Sequence, residues 1–157
     1  MKITLLTVGK TDSGYLKSGI SGYQERLVHY IPFTITEIQA QKNRASLNQE
    51  QIKEWEGEEI LKTVKESDEL ILLDERGELI TSEEFAGFLK IKMLNSTKSI
   101  VFVVGGAYGF SKRVYDRANK MISLSPMTFS HQMVRLIFTE QLYRAFTIIK
   151  GEPYHHK

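Results

Sequence analysis

Apolar and polar positions alternate between two periods along this chain, one close to two residues and one close to three and a half. Lys2 to Val8 is a short mixed run that reads as a strand. Gly14 to Tyr30 then spaces Leu16, Ile20, Tyr23 and Leu27 by three and four, as one face of a helix. Phe33 to Ile38 alternates like a strand. After a polar loop, Asn48 is placed to cap a helix whose apolar positions Ile52, Trp55, Ile60, Leu61 and Val64 lead toward Ser67, with Gly57 weakening it without breaking it. Leu70 to Leu73 is a buried-type run ending in the turn Asp74-Glu75-Arg76-Gly77, and Thr81-Ser82-Glu83-Glu84 opens the next helix with a cap and early acids. Ser99 to Val104 is the most apolar strand. It leads through a glycine-rich turn to a helix over 111–120, a short strand over 121–124 and a final helix from about Ser130 to Ile149. Strands alternating with helices predict an α/β fold, a mostly parallel sheet flanked by helices, with ligands bound beyond the carboxyl ends of the strands.

Three consecutive strand ends carry unusual loops: 73–77, the run Gly105-Gly106-Ala107-Tyr108-Gly109-Phe110, and 123–129. Together they can wall one pocket. Taken singly, each has a plainer reading, as close packing at a strand-to-helix turn or as a simple break in the chain. No Lys-Ser or Lys-Thr closes the glycine run and its spacing is not Gly-x-Gly-x-x-Gly, so a phosphate-cradling cofactor is disfavoured. His29, His131, His155 and His156 have no metal-ligand spacing, and there is no Gly-x-Ser-x-Gly elbow. The expectation is no metal and no hydrolase chemistry.

Composition narrows the class further. At 157 residues, with 41% hydrophobic and 25% charged residues, the chain is expected to form a single domain, 1–157, with a sizeable core. It has no cysteine, and no apolar run long enough to span a membrane or serve as a signal segment, which points to a cytoplasmic protein. The net charge of +2 hides a polarity: 48–90 holds five basic and thirteen acidic residues, 111–157 eight basic and three acidic. The acids at 54, 56, 58 and 59 read as a solvated helix face, and the basic C-terminal third suits a phosphate-bearing partner. The last helix is apolar nearly all round, as a helix at a subunit interface or one buried deep in the molecule would be. The first reading makes the protein a homodimer, with Phe138 and Leu142 as interface positions.

Four ordered motifs carry a resemblance: Phe102-Val103-Val104-Gly105-Gly106-Ala107, the stretch Ile122 to Gln132, Glu140-Gln141-Leu142-Tyr143-Arg144-Ala145, and Gly151-Glu152-Pro153-Tyr154-His155-His156. Together they resemble the large-subunit rRNA pseudouridine N3 methyltransferase family of the SPOUT class. The resemblance implies a C-terminal trefoil knot (approximately 70–157) that binds S-adenosyl-L-methionine, a homodimer, and methylation of pseudouridine 1915 of 23S rRNA in the ribosome. It places the cofactor against Leu73, Gly105, Leu124, Ser125, Pro126, Met127, Thr128 and Phe129, which fall in the three loops. Ser130 departs from the proline the family favours. For the proton leaving N3 the candidate acceptors are His131, Tyr154, His155 and His156, with Arg144 and Arg135 as holders of phosphate or base edges; for Tyr143 and Arg144 an interface or capping pair is the rival reading. A different RNA target and a noncatalytic ribosome-binding module are the alternative functions.

Overall fold

The computed structural model describes residues 1–12 and 14–156. In chain order it contains β1 (Lys2–Val8), α1 (Gly14–Leu27), β2 (Phe33–Ile38), a single 3-10 turn (Arg44–Ser46), α2 (Gln49–Thr63), β3 (Glu69–Leu79), α3 (Ser82–Leu94), β4 (Ser99–Val104), α4 (Lys112–Arg117), β5 (Lys120–Ser123) and α5 (His131–Lys150). The strands form one sheet in the order β2-β1-β4-β3-β5, and every pairing is parallel. This is the α/β architecture the patterning predicts. β4 lies at the centre and all six of its residues are buried, as a strand covered on both faces requires.

Helices α1, α3 and α5 cover one face of the sheet and α2 and α4 the other, giving two cores. The first centres on Phe85, Phe102 and Phe138, with ring centroids 4.7 to 6.2 Å apart; the second joins Leu6, Leu70, Leu72, Val101 and Val103 to Ile60, Phe110 and Val114. Phe138 and Leu142 are wholly enclosed in the first core, so the central-helix reading holds for them and they are not interface positions. Met133, Leu136 and Ile137 remain partly exposed on another side of α5.

Most departures from the expected boundaries have a local cause. α1 ends at Leu27 rather than Tyr30, because the chain must turn ahead of Ile31-Pro32 and a residue before proline disfavours helix. α2 stops at Thr63 as Val64 turns extended, and Asp68 accepts a hydrogen bond from the Lys65 amide at 2.9 Å. α4 stops at Arg117 because Asn119 is captured by the sheet: its amide donates to the Leu70 carbonyl and its side chain accepts from the Leu70 amide, both at 2.8 Å. The largest difference is β3, which does not end in a turn at Asp74 but runs on to Leu79. Leu73 and Glu78 both pair with Ile122, so 74–77 bulges out between two parallel contacts with one residue of β5.

Candidate functional site

The carboxyl ends of β3, β4 and β5 open into a cleft of about 950 Å³, walled by Leu73–Arg76, Val104–Phe110 and Ser123–Val134 except Pro126, Gln132 and Met133. The three loops singled out in the sequence therefore do line one cavity. Leu73, Gly105, Leu124, Ser125, Met127, Thr128, Phe129 and His131 all face it; Pro126 sits in the same loop, exposed and outside the lining. The last loop is held by its own serines. Ser123 donates to the Ser125 carbonyl at 3.0 Å, and Ser125 accepts from the Met127 amide at 2.9 Å. Thr128 reaches across the cleft to the Glu75 carboxylate at 3.3 Å. The tight turn 106–109 forms the opposite wall and depends on Gly109, whose φ of +80° suits a residue without Cβ.

Gly105 owes its lack of a side chain to a neighbour within the wall. A Cβ there would lie 3.0 Å from the ring of Phe110, part of the second core. A bulky residue at 105 thus perturbs the wall and the core together, so it cannot be expected to act on ligand binding alone.

His131 occupies the first turn of α5, whose N-cap is Ser130: the Ser130 hydroxyl accepts from the Met133 amide at 3.2 Å. Where a proline would fix this entry by its ring, serine fixes it by a cap. Burial, then the guanidiniums of Arg135 and Arg44, push the His131 pKa down, so its imidazole is neutral near pH 7. Gln132 anchors the same turn to the end of β1, donating to the Lys10 carbonyl at 3.0 Å and accepting from the Asp12 amide at 3.2 Å.

Arg135 does not face solvent. Its guanidinium is enclosed and donates to the carbonyls of Val8 (2.7 Å) and Gly9 (3.0 Å) and to the Thr11 hydroxyl (3.1 Å), with Nε buried and unpaired among the described residues, so it ties α5 to β1 and does not reach solvent. The remaining candidates lie elsewhere. Arg144, Tyr154 and His155 gather at the far end of α5, thirteen residues or roughly 20 Å along the helix from His131. Arg144 pairs with Glu140 at 2.5 Å and lies over the Tyr154 ring at 4.8 Å; Tyr154 also donates to Glu140 at 3.1 Å and packs edge-on against Tyr143. His155 meets Glu83 at 3.0 Å. The tail is therefore folded back on its own chain after Gly151, which takes the left-handed conformation that ends α5. His156 is exposed and Lys157 lies outside the described residues.

The cleft also gives a part to residues that the sequence placed only in a turn or a helix. Asp74 accepts from the Tyr115 hydroxyl at 2.5 Å and the Arg76 amide at 2.8 Å, and Arg76 stacks on the Tyr115 ring at 4.8 Å. Burial alone would raise the Asp74 pKa, but the hydrogen bonds from Tyr115 and Arg76 together hold it below the ordinary carboxylate range. Asp-x-Arg on a strand end was the available signal. From α2, Glu50, Lys53 and Glu54 reach the rim. Glu56 does not belong to the solvated acidic face: it is enclosed, pointing from α2 at the back of the glycine turn. Among the described residues, no group of three or more His, Cys, Asp or Glu is placed to hold a metal, and no helix is long and apolar enough to cross a membrane.

Residues 1–155 match the family model described as predicted SPOUT methyltransferase. Two relatives, each called ribosomal RNA large subunit methyltransferase H, are similar over their whole length and the whole of this chain: one from Parabacteroides distasonis, 55% identical, and one from Christiangramia forsetii, 52% identical. A solved structure, a probable methylase family protein from Haemophilus influenzae, superposes with a TM-score of 0.54 over 99% of this chain and 70% of that one, at 14% identity, a likeness of fold.

Proposed function

Because the chain belongs to the SPOUT methyltransferase family and is at least half identical to full-length relatives named for large-subunit rRNA methylation, we propose that it methylates N3 of pseudouridine 1915 in 23S rRNA, using S-adenosyl-L-methionine, on the assembled ribosome in the cytoplasm. The observation that carries this reading is the convergence of Leu73, Gly105, Leu124, Ser125, Met127, Thr128 and Phe129 on one cleft. That lining fits the cofactor. It sets the backbone of three loops and apolar side chains such as Leu73, Val104, Ile122 and Leu124 beside a rim of polar and charged groups, which suits an adenine and a zwitterionic amino acid with no phosphate between them. The bound cofactor supplies a methyl group on a positively charged sulfur.

The protein's part is to hold the target nitrogen in line with that methyl and to accept the imide proton as the nitrogen's lone pair forms the new bond. His131 suits the second task, since it is neutral at pH 7 and stands at the cleft wall. Arg144, Tyr154 and His155 cannot reach the same cleft from 20 Å along a rigid helix. A second copy can bring them. In the dimer we propose, the α5 stripe of Met133, Ile137, Gln141 and Arg144, spaced by four, four and three, forms the interface, and each tail cluster completes the partner's cleft to hold RNA. Residues 1–157 act as one domain, and 70–157 form the knotted cofactor unit. The double contact of Ile122 with Leu73 and Glu78, and the seating of Gly77 against the main chain of Met121 and Ile122, support a chain crossing at that point.

Mass analysis of 23S rRNA from cells with and without this protein tests the target. The expected result is one methyl group lost from the fragment holding pseudouridine 1915 and restored by the intact chain. An unchanged fragment rejects the target. Loss of a methyl elsewhere assigns another.

A further inference from the structure

Glu56 is the least expected side chain in the molecule. Its residue is 2% exposed, both carboxylate oxygens lack a hydrogen-bond partner among the described residues, and Arg44 offers an opposite charge, its Nη2 lying 3.4 Å from Oε1. A carboxylate so placed is costly, and burial raises its pKa more than Arg44 lowers it. If the position served only packing, a glutamine or leucine would fill it at lower cost. The carboxylate lies against the back of the cleft wall: a Cβ on Gly106 would come within 2.4 Å of Oε2 and 2.7 Å of Oε1, and Gly106 also lines the cleft. Between the carboxylate and the ligand space at this point stands one residue with no side chain. The contact is drawn tight by Gly57, next on α2, where a Cβ would fall 2.2 Å from the Ser111 hydroxyl.

Resting on the cofactor proposed above, we infer that Glu56 is a specificity-determining residue that acts through the Gly106 wall by charge, favouring the cationic methyl donor over its neutral product. The donor carries a sulfonium, an ammonium and a carboxylate, for a net charge of +1. When the methyl leaves, the bonding pair stays on sulfur, the product is a thioether and its net charge is zero. Ionised and paired with Arg44, Glu56 stabilises the first and acts little on the second, so above its raised pKa it loads the donor and lets the spent product go. Arg44 sets the strength of the effect by partial compensation. At a separation on the order of 10 Å and an effective dielectric of about 20, one unit of charge changes affinity by roughly tenfold.

Calorimetry with S-adenosylmethionine and S-adenosylhomocysteine at pH 7.5, on the full chain and on Glu56→Gln, tests this without recourse to turnover. Glutamine keeps the shape and removes the charge. The expected result is a variant that folds with an equal or higher Tm, binds the thioether as before, and loses at least roughly fivefold of the preference for the sulfonium. Should Glu56→Gln fail to fold, Glu56→Gln/Arg44→Gln, which removes only the part of the Glu56 charge that Arg44 does not compensate, should lose a smaller share of the preference, roughly threefold. A preference unchanged within twofold overturns the inference, and so does an equal loss for both ligands, which would make Glu56 a prop for the wall. Wild-type protein that binds neither ligand rejects the cofactor reading itself, and the inference with it.

Discussion

Gly77 shows how much one missing side chain can decide. A Cβ there would lie 2.6 Å from the main-chain N and C of Ile122, and backbone inside a sheet cannot step aside. Gly87, inside α3, has nothing within 4 Å. Gly77→Ala should therefore cost about 3 kcal/mol or prevent folding, whereas Gly87→Ala should add roughly 0.5–1 kcal/mol, as alanine does in a helix interior. Urea denaturation of the two variants measures both signs. The sequence marks all these glycines as loop or helix residues without saying what stands opposite them, so it does not show that Gly105, a residue of the cleft lining, also has Phe110 as its neighbour. His131 carries a pH signature. Its folded pKa lies below the ordinary 6.5, so the neutral form persists on acidification and is lost only as pH falls through that lowered value. Methyl transfer should show an acid limb below pH 6.5, and His131→Gln should abolish the limb and lower the plateau at least tenfold; a limb that survives moves the proton acceptor elsewhere.

Helix starts were legible because their causes are local. Asn48 and Thr81 each form the full capping box, with Gln51 and Glu84 returning the hydrogen bond. Helix ends were not, since Asn119 stops α4 by pairing with Leu70, forty-nine positions away in sequence. The extent of β3 was hidden for the same reason: nothing local in Asp74–Gly77 announces that Glu78 returns to Ile122. Ser130 allows a test at this scale. Ser130→Ala should cost α5 about 1 kcal/mol through the lost cap. Ser130→Pro should be close to neutral, because its φ of −62° suits proline and the entropy removed from the unfolded chain offsets the lost hydrogen bond. Thermal melts of the two variants, compared with wild type, decide it.

For the whole molecule, the cleft and the tail cluster sit at opposite ends of α5, and the proposed dimer is the arrangement that would let both serve one reaction. Ile137→Glu should give a folded monomer by sedimentation that binds cofactor and transfers no methyl group. Phe138→Glu should instead unfold the chain, since it buries an unpaired charge in the first core at a cost of several kcal/mol. Removing residues 154–157 should spare cofactor binding and lower transfer to ribosomes by at least roughly tenfold; full activity would release the tail from the site. The strand order also sets a timetable for synthesis. β1 and β2 emerge early and pair with each other, but β4 stands between β1 and β3, and β4 begins only at Ser99. Once β1 and β2 have paired, β3 therefore leaves the ribosome with no neighbour, and at roughly 5–20 residues per second the two halves of the sheet wait on the order of seconds for the strand that joins them. A fragment ending at Lys98 should accordingly show no cooperative unfolding and little protection from hydrogen exchange, and extending it through Val104 should be the first point at which β1 and β3 become protected together.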